Sequence, residues 1–252
     1  MEGAALPGRL NWRVAKVVDS LVETPRVRSL VLDVPGWPGH MAGQHVDVRL
    51  TAEDGYQAER SYSIASAPED ERLVLTVERL EEGEVSPYLF DVVKPGDELE
   101  LRGPIGGYFV WTEPLGGPLL MLGGGSGIVP LRSMLRHHVA VRSAVPARLL
   151  YSARSMHEVI YKDELTRFDA RHGIEVLFTL TRQWPEDWTG YRRRIDEALL
   201  REIAWSPKER PLVYICGPTG FVETAANGLV QLGHDASRIR TERFGPTGGT
   251  IG

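Results

Sequence analysis

Cysteine is nearly absent from this sequence, whose 252 residues contain only Cys216. One cysteine cannot form an intrachain disulfide, and it cannot supply the four protein ligands of an iron–sulfur cluster. The seven histidines show no His-Glu-x-x-His or other metal-ligand spacing. We therefore expect no disulfide, no cluster and no bound metal, and this cysteine content suits a reducing cytoplasm.

Long apolar runs and an excess of positive charge are also missing. No segment reaches the roughly 18–20 consecutive apolar residues that span a membrane. The first residues are charged where a signal peptide has an apolar core. These charged residues are Glu2, Arg9, Arg13, Lys16 and Asp19. A net charge of −5 argues against nucleic acid, which binds basic surfaces. The sequence predicts a cytoplasmic protein that binds neither membrane nor nucleic acid.

The first hundred residues contain short, β-branched segments separated by turn residues. They are Trp12–Ser20, Arg28–Val34, His45–Leu50, Ser61–Ala65, Arg72–Arg79 and Asp97–Arg102. Six such segments predict an antiparallel six-stranded β-barrel or sandwich. A short helix is expected at Ser86–Val92, with Ser86 as its N-cap and Pro87 at its first position.

After Trp111 the pattern changes to alternating strands and helices, following a linker at Glu113–Pro118. The expected strands are Leu119–Leu122, Arg148–Ser152, Ile174–Thr181, Leu212–Cys216 and Ile239–Phe244, and the expected helices are Ile128–Val141, Tyr161–His172, Ile195–Ile203 and Gly220–Leu232. This alternation predicts an α/β domain with an open parallel sheet covered on both faces. We place the two domains at residues 8–112 and 113–252, and expect the Gly- and Thr-rich tail Gly245–Gly252 to be mobile unless something holds it.

Two segments of the barrel half are suited to a flavin. Arg60-Ser61-Tyr62-Ser63 offers a guanidinium for a phosphate, a flat ring and a hydroxyl. Gly83-Glu84-Val85-Ser86 offers backbone N–H groups beside the short helix. Taken singly, Arg60 could be a surface arginine, Tyr62 a core residue and residues 83–86 a simple turn. The flavin hypothesis therefore rests on the two segments together.

Two segments of the α/β half are suited to a dinucleotide. Gly123-Gly124-Gly125-Ser126-Gly127 lies between a strand and a helix, where backbone N–H groups bind a pyrophosphate. It is not the Rossmann fingerprint, because Ile128 stands at the sixth position. Cys216-Gly217-Pro218 follows a later strand, and the carboxyl ends of parallel strands are where such sheets bind ligands. The alternatives are a flexible turn and a small buried cysteine.

Arginines at two neighbouring strand ends bear on the choice of nucleotide. NAD-binding sheets usually have an acid after the second strand, but here Arg154 stands there, and Arg182 follows the third strand. Two guanidinium groups can hold a 2′-phosphate, which favours NADPH over NADH. Solvated surface arginines are the alternative. The run Arg192-Arg193-Arg194 adds positive charge for the phosphate or for an acidic redox partner.

These motifs, in this order, resemble the ferredoxin–NADP reductase family from about Asn11 to Phe244. The matching residues are Arg60, Tyr62 and Ser63; Gly83 and Ser86; Thr76-Val77-Glu78-Arg79; Gly103-Pro104-Ile105-Gly106; residues 123–130; Cys216-Gly217-Pro218; and Glu242 with Phe244. The resemblance favours FAD, although some relatives use FMN with the same short motifs, and it implies Tyr62 on the isoalloxazine and Ser63 near its N5. It also implies Cys216 beside the nicotinamide, although plant-type members end in an aromatic residue and here eight residues follow Phe244.

The same resemblance implies an activity. Hydride passes from NAD(P)H to the flavin, and single electrons then go to an acceptor. The 252 residues contain no ferredoxin-type cysteine set, which implies a separate ferredoxin, flavodoxin, oxygenase component or cytochrome P450, of which an iron–sulfur protein or oxygenase component is favoured. Two alternatives remain: a flavin-holding electron-transfer subunit of a stable complex, against which the intact nicotinamide loop argues, and an NAD(P)H:flavin reductase.

Overall fold

A computed structural model describes residues 11–244 and places an antiparallel sheet first. Its strands are β1 (Trp12–Thr24), β2 (Val27–Asp33), β3 (His45–Thr51), β4 (Gln57–Ser63), β5 (Leu73–Glu78) and β6 (Glu98–Ile105). Their order across the sheet is β4-β3-β6-β1-β2-β5, and every neighbouring pair is antiparallel. Apolar residues alternate along these strands, so one face of the sheet is buried.

The two outer strands of this sheet meet and close it. Immediately after β4, Ile64 forms an antiparallel bridge with Leu75 of β5, and the Ala65 N–H donates to the Val74 carbonyl at 2.8 Å. A cluster of buried aliphatic side chains fills the interior, among them Leu30 and Val46, both 0% exposed. The predicted six-stranded antiparallel barrel is confirmed.

Three local predictions in the barrel were wrong. The first strand was expected to end at Ser20 but continues to Thr24, because residues up to Thr24 pair with β2. The strand expected at Ser61–Ala65 begins at Gln57 and ends at Ser63, because its residues pair with β3 from Thr51 back to His45. Residues 86–92 are helical, but the Ser86 hydroxyl does not cap them. It accepts a hydrogen bond from the Leu80 N–H at 3.1 Å, and the Tyr88–Val92 part is a π-helical turn.

The second sheet is parallel and alternates with helices. Its strands are β7 (Leu119–Gly124), β8 (Ala147–Ala153), β9 (Glu175–Leu180), β10 (Leu212–Pro218) and β11 (Ile239–Phe244), in the order β11-β10-β7-β8-β9. The helices are α1 (Ile128–Ala140), α2 (Lys162–His172), α3 (Glu197–Ile203) and α4 (Thr219–Gln231). This confirms the predicted α/β fold, with most bounds within three residues of those expected.

Helices cover both faces of the parallel sheet. Residues of α3 and α4, such as Leu199 and Leu229, pack in one cluster with Leu120 and Ile215 of the sheet. On the other face, α1 and α2 share a cluster with residues of the barrel half, including Trp111, which is 2% exposed. The two halves therefore meet through a common apolar core on the α1–α2 face.

The remaining predictions concern membrane spans, the linker and the ends of the chain. No helix within residues 11–244 is long and apolar enough to cross a bilayer. The expected linker contains a 3₁₀ turn at Glu113–Leu115. The tail Gly245–Gly252 and the first residues of the proposed 8–112 domain lie outside the described residues.

Candidate functional site

The motif Arg60–Ser63 occupies the carboxyl end of β4. Ser63 is 6% exposed, Tyr62 is half-buried against the barrel core, and Arg60 and Ser61 are exposed. Burial raises the pKa of the Tyr62 phenol well above its usual range, so its ring stays neutral. The Ser61 hydroxyl donates to Asp47 at 2.7 Å, so a flavin contact from Ser61 would come through its backbone.

The two predicted phosphate segments of the barrel half lie side by side. The Arg60 guanidinium donates to the Glu84 carboxylate at 2.7 Å, and the Tyr56 hydroxyl donates to the same carboxylate at 3.0 Å. Sequence reasoning singled out Arg60 but missed Glu84 as its partner. The Arg60 guanidinium, which could bind a phosphate, is thus paired with the Glu84 carboxylate, which would compete with the phosphate for Arg60.

Tight packing explains the glycine at position 83. A Cβ there would lie 2.8 Å from the Ser86 hydroxyl and 3.2 Å from the Leu80 carbonyl oxygen. The following Val85 is fully buried in the barrel core. The segment is therefore a compact turn whose position is set by the core beneath it.

Strand β5 lies beside β4 and the π-helical turn, and its two faces carry different groups. Val77 is fully buried in the barrel core, whereas the Thr76 hydroxyl accepts a hydrogen bond from the Tyr161 hydroxyl of the other half at 2.5 Å. Just beyond the strand, Arg79 donates to Asp91 in the π-helical turn at 2.8 Å. Val77 and Arg79, which belong to the segment that matches the family, are thus held by packing and by an ion pair.

The glycine loop of the α/β half follows β7 and leads directly into α1. Gly125 has a φ of +55°, a left-handed conformation that favours glycine. A Cβ at Gly127 would lie only 2.1 Å from the Cys216 carbonyl oxygen, and one at Gly217 would lie 3.0 Å from the Gly124 carbonyl oxygen. The loop and the Cys216–Pro218 segment therefore touch backbone to backbone, an arrangement we call the glycine cradle (residues 124–127 and 216–218).

The glycine cradle fits the nucleotide pyrophosphate that the sequence implies. Side chains at these glycines would keep the two segments apart, and the loop leads into the start of a 13-residue helix, a position that favours a phosphate. Ser126, in the middle of the loop, is half-buried and adds a hydroxyl. The residues present suit a pyrophosphate.

Cys216 and Glu242 face each other across strands β10 and β11. Their Cα atoms are register partners, and Phe244 is the partner of Pro218 two positions further. Cys216 is 0% exposed, and burial together with the nearby Glu242 carboxylate raises the pKa of its thiol. The thiol is therefore neutral, which suits an apolar wall and excludes a reactive thiolate.

Glu242 is the most perturbed carboxyl group of this region. Burial raises its pKa from 4.5 to about 7, and its Oε2 has no hydrogen-bond partner within residues 11–244. A buried polar atom without a partner is uncommon and marks a place where a ligand or water belongs. Phe244, two residues on, is half-buried against the core cluster of the α1–α2 face.

The two arginines proposed to select the nucleotide are brought together by backbone contacts. The Arg182 N–H donates to the Arg154 carbonyl at 2.9 Å, and both side chains are exposed. Arg154 lies 3.9 Å from the Glu158 carboxylate, a weak pairing at the surface. Tyr191 bonds through its backbone to Phe178 and Leu180 of β9, which brings Arg192–Arg194 to the same end of the sheet.

Comparison with known families agrees with the division of the chain into a barrel half and an α/β half. A family model described as the oxidoreductase FAD-binding domain matches residues 15–110, and one described as the oxidoreductase NAD-binding domain matches residues 121–227. The glycine betaine monooxygenase reductase subunit of Chromohalobacter salexigens is 32% identical over 246 residues. That match covers 95% of this chain and 65% of the relative, so the chain spans less than two thirds of the relative's length.

Two solved structures share the fold. The FAD/NAD-binding domain of nitric oxide dioxygenase from Vibrio cholerae superposes with a TM-score of 0.83 at 26% identity, over 93% of this chain and 99% of that one. The cytochrome P450 reductase GcoB from Amycolatopsis gives a TM-score of 0.81 at 25% identity, over 94% of this chain and 71% of that one. An FAD-binding domain followed by an NAD-binding domain therefore accounts for nearly all of the described chain.

Proposed function

Because the chain belongs to the ferredoxin–NADP reductase family of FAD- and NAD-binding oxidoreductases, we propose that it is an NAD(P)H-dependent reductase that supplies electrons to an oxygenase-type partner. The glycine cradle is the observation that carries the proposal. Its two segments touch only because Gly127 and Gly217 lack side chains, and it lies at the carboxyl ends of β7 and β10, where parallel sheets bind nucleotides.

The proposed roles follow from the placement of each side chain. Arg60 pairs with a flavin phosphate, the neutral ring of Tyr62 packs against the flavin, and Ser63 offers its hydroxyl from a buried position. Ser61, Val77, Arg79, Gly83, Val85 and Ser86 complete the proposed FAD-binding set. When bound, the flavin supplies the ring that accepts hydride from NAD(P)H and passes electrons on singly.

In the other half, residues 124–127 hold the nucleotide pyrophosphate through backbone N–H groups and the Ser126 hydroxyl. Cys216, Gly217 and Pro218 form the wall beside the nicotinamide, where a neutral thiol neither reacts nor adds charge. Burial raises the pKa of Glu242 to about 7, so its carboxyl group exchanges a proton near neutral pH, and Phe244 covers the neighbouring position. The protein thereby orients the reactants and excludes water from them.

NADPH is the proposed nucleotide. Arg154 and Arg182 are exposed, adjacent and positioned after neighbouring strands, where a 2′-phosphate can receive a charge-assisted hydrogen bond. An Arg182→Ala variant should weaken NADPH binding about tenfold, as expected for one such bond, and leave NADH binding unchanged. Arg201→Ala, which removes an exposed arginine on α3, is the matched control. Equal losses for both nucleotides would count against this part of the proposal.

The proposed acceptor is a separate iron–sulfur protein, oxygenase component or cytochrome P450. The reductase subunit of glycine betaine monooxygenase and a cytochrome P450 reductase are both similar to this chain. A haem protein other than a cytochrome P450 is the second candidate, because the flavohem-like FAD/NAD-binding domain of nitric oxide dioxygenase is similar to this chain. The proposal includes a cytoplasmic location and a domain boundary at residues 112 and 113.

Anaerobic stopped-flow absorbance tests the proposal. The purified yellow protein is mixed separately with NADPH and NADH, and the visible flavin band is followed. Rapid bleaching supports the reductase, and the faster nucleotide identifies the donor. Absence of bleaching by either nucleotide would overturn the proposal in favour of a flavin-holding subunit, and fast turnover of free FMN without a protein acceptor would favour a flavin reductase.

A further inference from the structure

Three hydrogen bonds join α1 and the residue before α2 to the segment after β4 and to β5 of the flavin half. Arg132 donates to the Ala65 carbonyl at 3.0 Å, and the Ser133 hydroxyl donates to the Ser66 carbonyl at 2.6 Å. The Tyr161 hydroxyl donates to the Thr76 hydroxyl at 2.5 Å. We call the donors Arg132, Ser133 and Tyr161 the interdomain clamp.

Each end of the clamp lies beside a proposed cofactor segment. On the flavin side, Ala65 and Ser66 follow the Arg60–Ser63 motif, and Thr76 directly precedes Val77. On the nucleotide side, Arg132 and Ser133 lie in the second turn of α1, which begins directly after Gly127 of the glycine cradle. Together with the apolar core shared by the two halves, the clamp therefore holds the two proposed binding segments at a fixed distance.

Tyr161 is the most constrained member of the clamp. It is 5% exposed and has a φ of +59°, a left-handed conformation that residues with side chains rarely adopt. The Arg132 guanidinium lies 4.4 Å from the centre of its ring, a cation–π contact. Such backbone strain persists where the surrounding contacts determine the conformation, and it is found at functional sites more often than elsewhere.

A network of ion pairs holds the helices that carry the interdomain clamp. Arg132 pairs with Glu164 of α2 at 2.6 Å, and Arg136 bridges Glu164 at 2.5 Å to Asp70 of the flavin half at 2.6 Å. These groups are half-buried, and the Arg136 contact keeps the pKa of the Asp70 carboxyl below its usual value. The network fixes α1 and α2 against one another and against the flavin half.

We propose that Tyr161, through its bond to Thr76, is a positioning residue for hydride transfer. This rests on the proposed function, because it assigns the clamp a part in that reaction. FAD contacts lie in one half and nucleotide contacts in the other, so a looser clamp leaves both affinities intact while the reacting atoms separate. Hydride transfer needs those atoms about 3–3.5 Å apart, and small displacements lower its rate steeply.

The test is Tyr161→Phe, which keeps the ring and its contact with Arg132 but removes the hydroxyl. We expect the limiting rate of flavin reduction to fall about tenfold, by comparison with the larger loss for a full 1 Å displacement. The dissociation constants of FAD and of the nucleotide should stay within about twofold, since neither site is touched. Thr76→Val removes the same bond and also the contact of the Thr76 hydroxyl with the Ser29 hydroxyl at 2.8 Å, so it should lower the rate at least as much. The double variant should be no slower than Thr76→Val alone, because the Tyr161 hydroxyl then has no further bond to lose to Thr76.

Thr166→Val on α2 is the matched control and should leave the rate unchanged, since within residues 11–244 the Thr166 hydroxyl bonds only to the Lys162 carbonyl of its own helix. Amide hydrogen exchange provides a readout independent of activity. Tyr161→Phe should speed exchange in peptides spanning residues 60–78 and 128–136, with little change elsewhere.

The outcomes separate the clamp from the proposed function. If the wild-type protein is not reduced by either nucleotide, the proposed function fails and the clamp's role in it fails with it. If wild type is reduced and Tyr161→Phe is reduced equally fast, only the positioning role is overturned. A fall in rate matched by loss of FAD affinity or by a large fall in Tm would also overturn it, because the residue would then be merely structural.

Discussion

Replacing Glu242 with glutamine should make the protein more stable at high pH. Burial raises the pKa of this carboxyl group from 4.5 to about 7. Between those values the folded protein binds a proton that the unfolded chain releases, so its free energy of unfolding falls as the pH rises and levels off above about pH 7. Each pH unit is worth about 1.36 kcal/mol, which gives an upper bound of about 3 kcal/mol at pH 8.

Glu242→Gln removes this penalty, because glutamine is neutral at every pH and has nearly the shape of the protonated acid. At pH 5 the variant and the wild type should unfold at similar temperatures. At pH 8 the Tm of the variant should be higher by as much as roughly 6–12 °C, at about 2–4 °C per kcal/mol for a chain of this size. The partial exposure of the Glu242 side chain reduces the gain below this limit.

The assay is thermal unfolding of the purified protein by calorimetry at several pH values from 5 to 8. Comparing two variants at each pH cancels the contribution of all other titrating groups. Glu186→Gln makes the same chemical change at an exposed position and should show no such trend. A difference between Glu242→Gln and wild type that stays constant from pH 5 to 8 would refute the reasoning, since the carboxyl group would then ionise alike in both states.

Two further predictions concern the binding segments. Gly127→Ala should weaken nucleotide binding at least about tenfold, as measured by calorimetric titration with FAD content unchanged, because the new Cβ would lie 2.1 Å from a carbonyl oxygen of β10. Gly220→Ala, where a Cβ meets nothing within 4 Å, is the control, and equal behaviour of the two would contradict the close approach. Glu84→Gln should tighten FAD binding to the apoprotein several-fold, because it frees the Arg60 guanidinium for a phosphate. Glu82→Gln, the control, should leave the affinity for FAD unchanged. An unchanged affinity in Glu84→Gln would show that the Glu84 carboxylate and the FAD phosphate do not compete for Arg60.

Patterns within one element were predictable from the sequence. The bounds of β11 match the prediction, Ile239–Phe244, and α1 differs from it by one residue, because apolar periodicity and flanking glycines mark both elements locally. The roles predicted for Arg60, Cys216 and Phe244 remain predictions, although the structure places each of them beside a proposed binding segment. Helices, strands and short motifs could be predicted because each depends on residues that are close together in the sequence.

Contacts between distant residues were not predictable in the same way. The Arg60–Glu84 pair joins two exposed charges 24 positions apart, in a chain with many other charges that could have paired. The Tyr161–Thr76 bond spans 85 positions and depends on a left-handed residue that no local pattern marks. The boundaries of β4 were missed because its first residues are polar, and pairing with β3 rather than hydrophobicity holds them in a strand.

The position of β6 in the barrel bears on how the chain is made. Although it is the last barrel strand in the sequence, it lies between β3 and β1 and pairs Trp12 with Arg102. During synthesis the ribosome must release residues up to Ile105 before the sheet can close, and until then β1 and β3 each present an unpaired edge. Fragments that stop before Glu98 should therefore aggregate rather than fold.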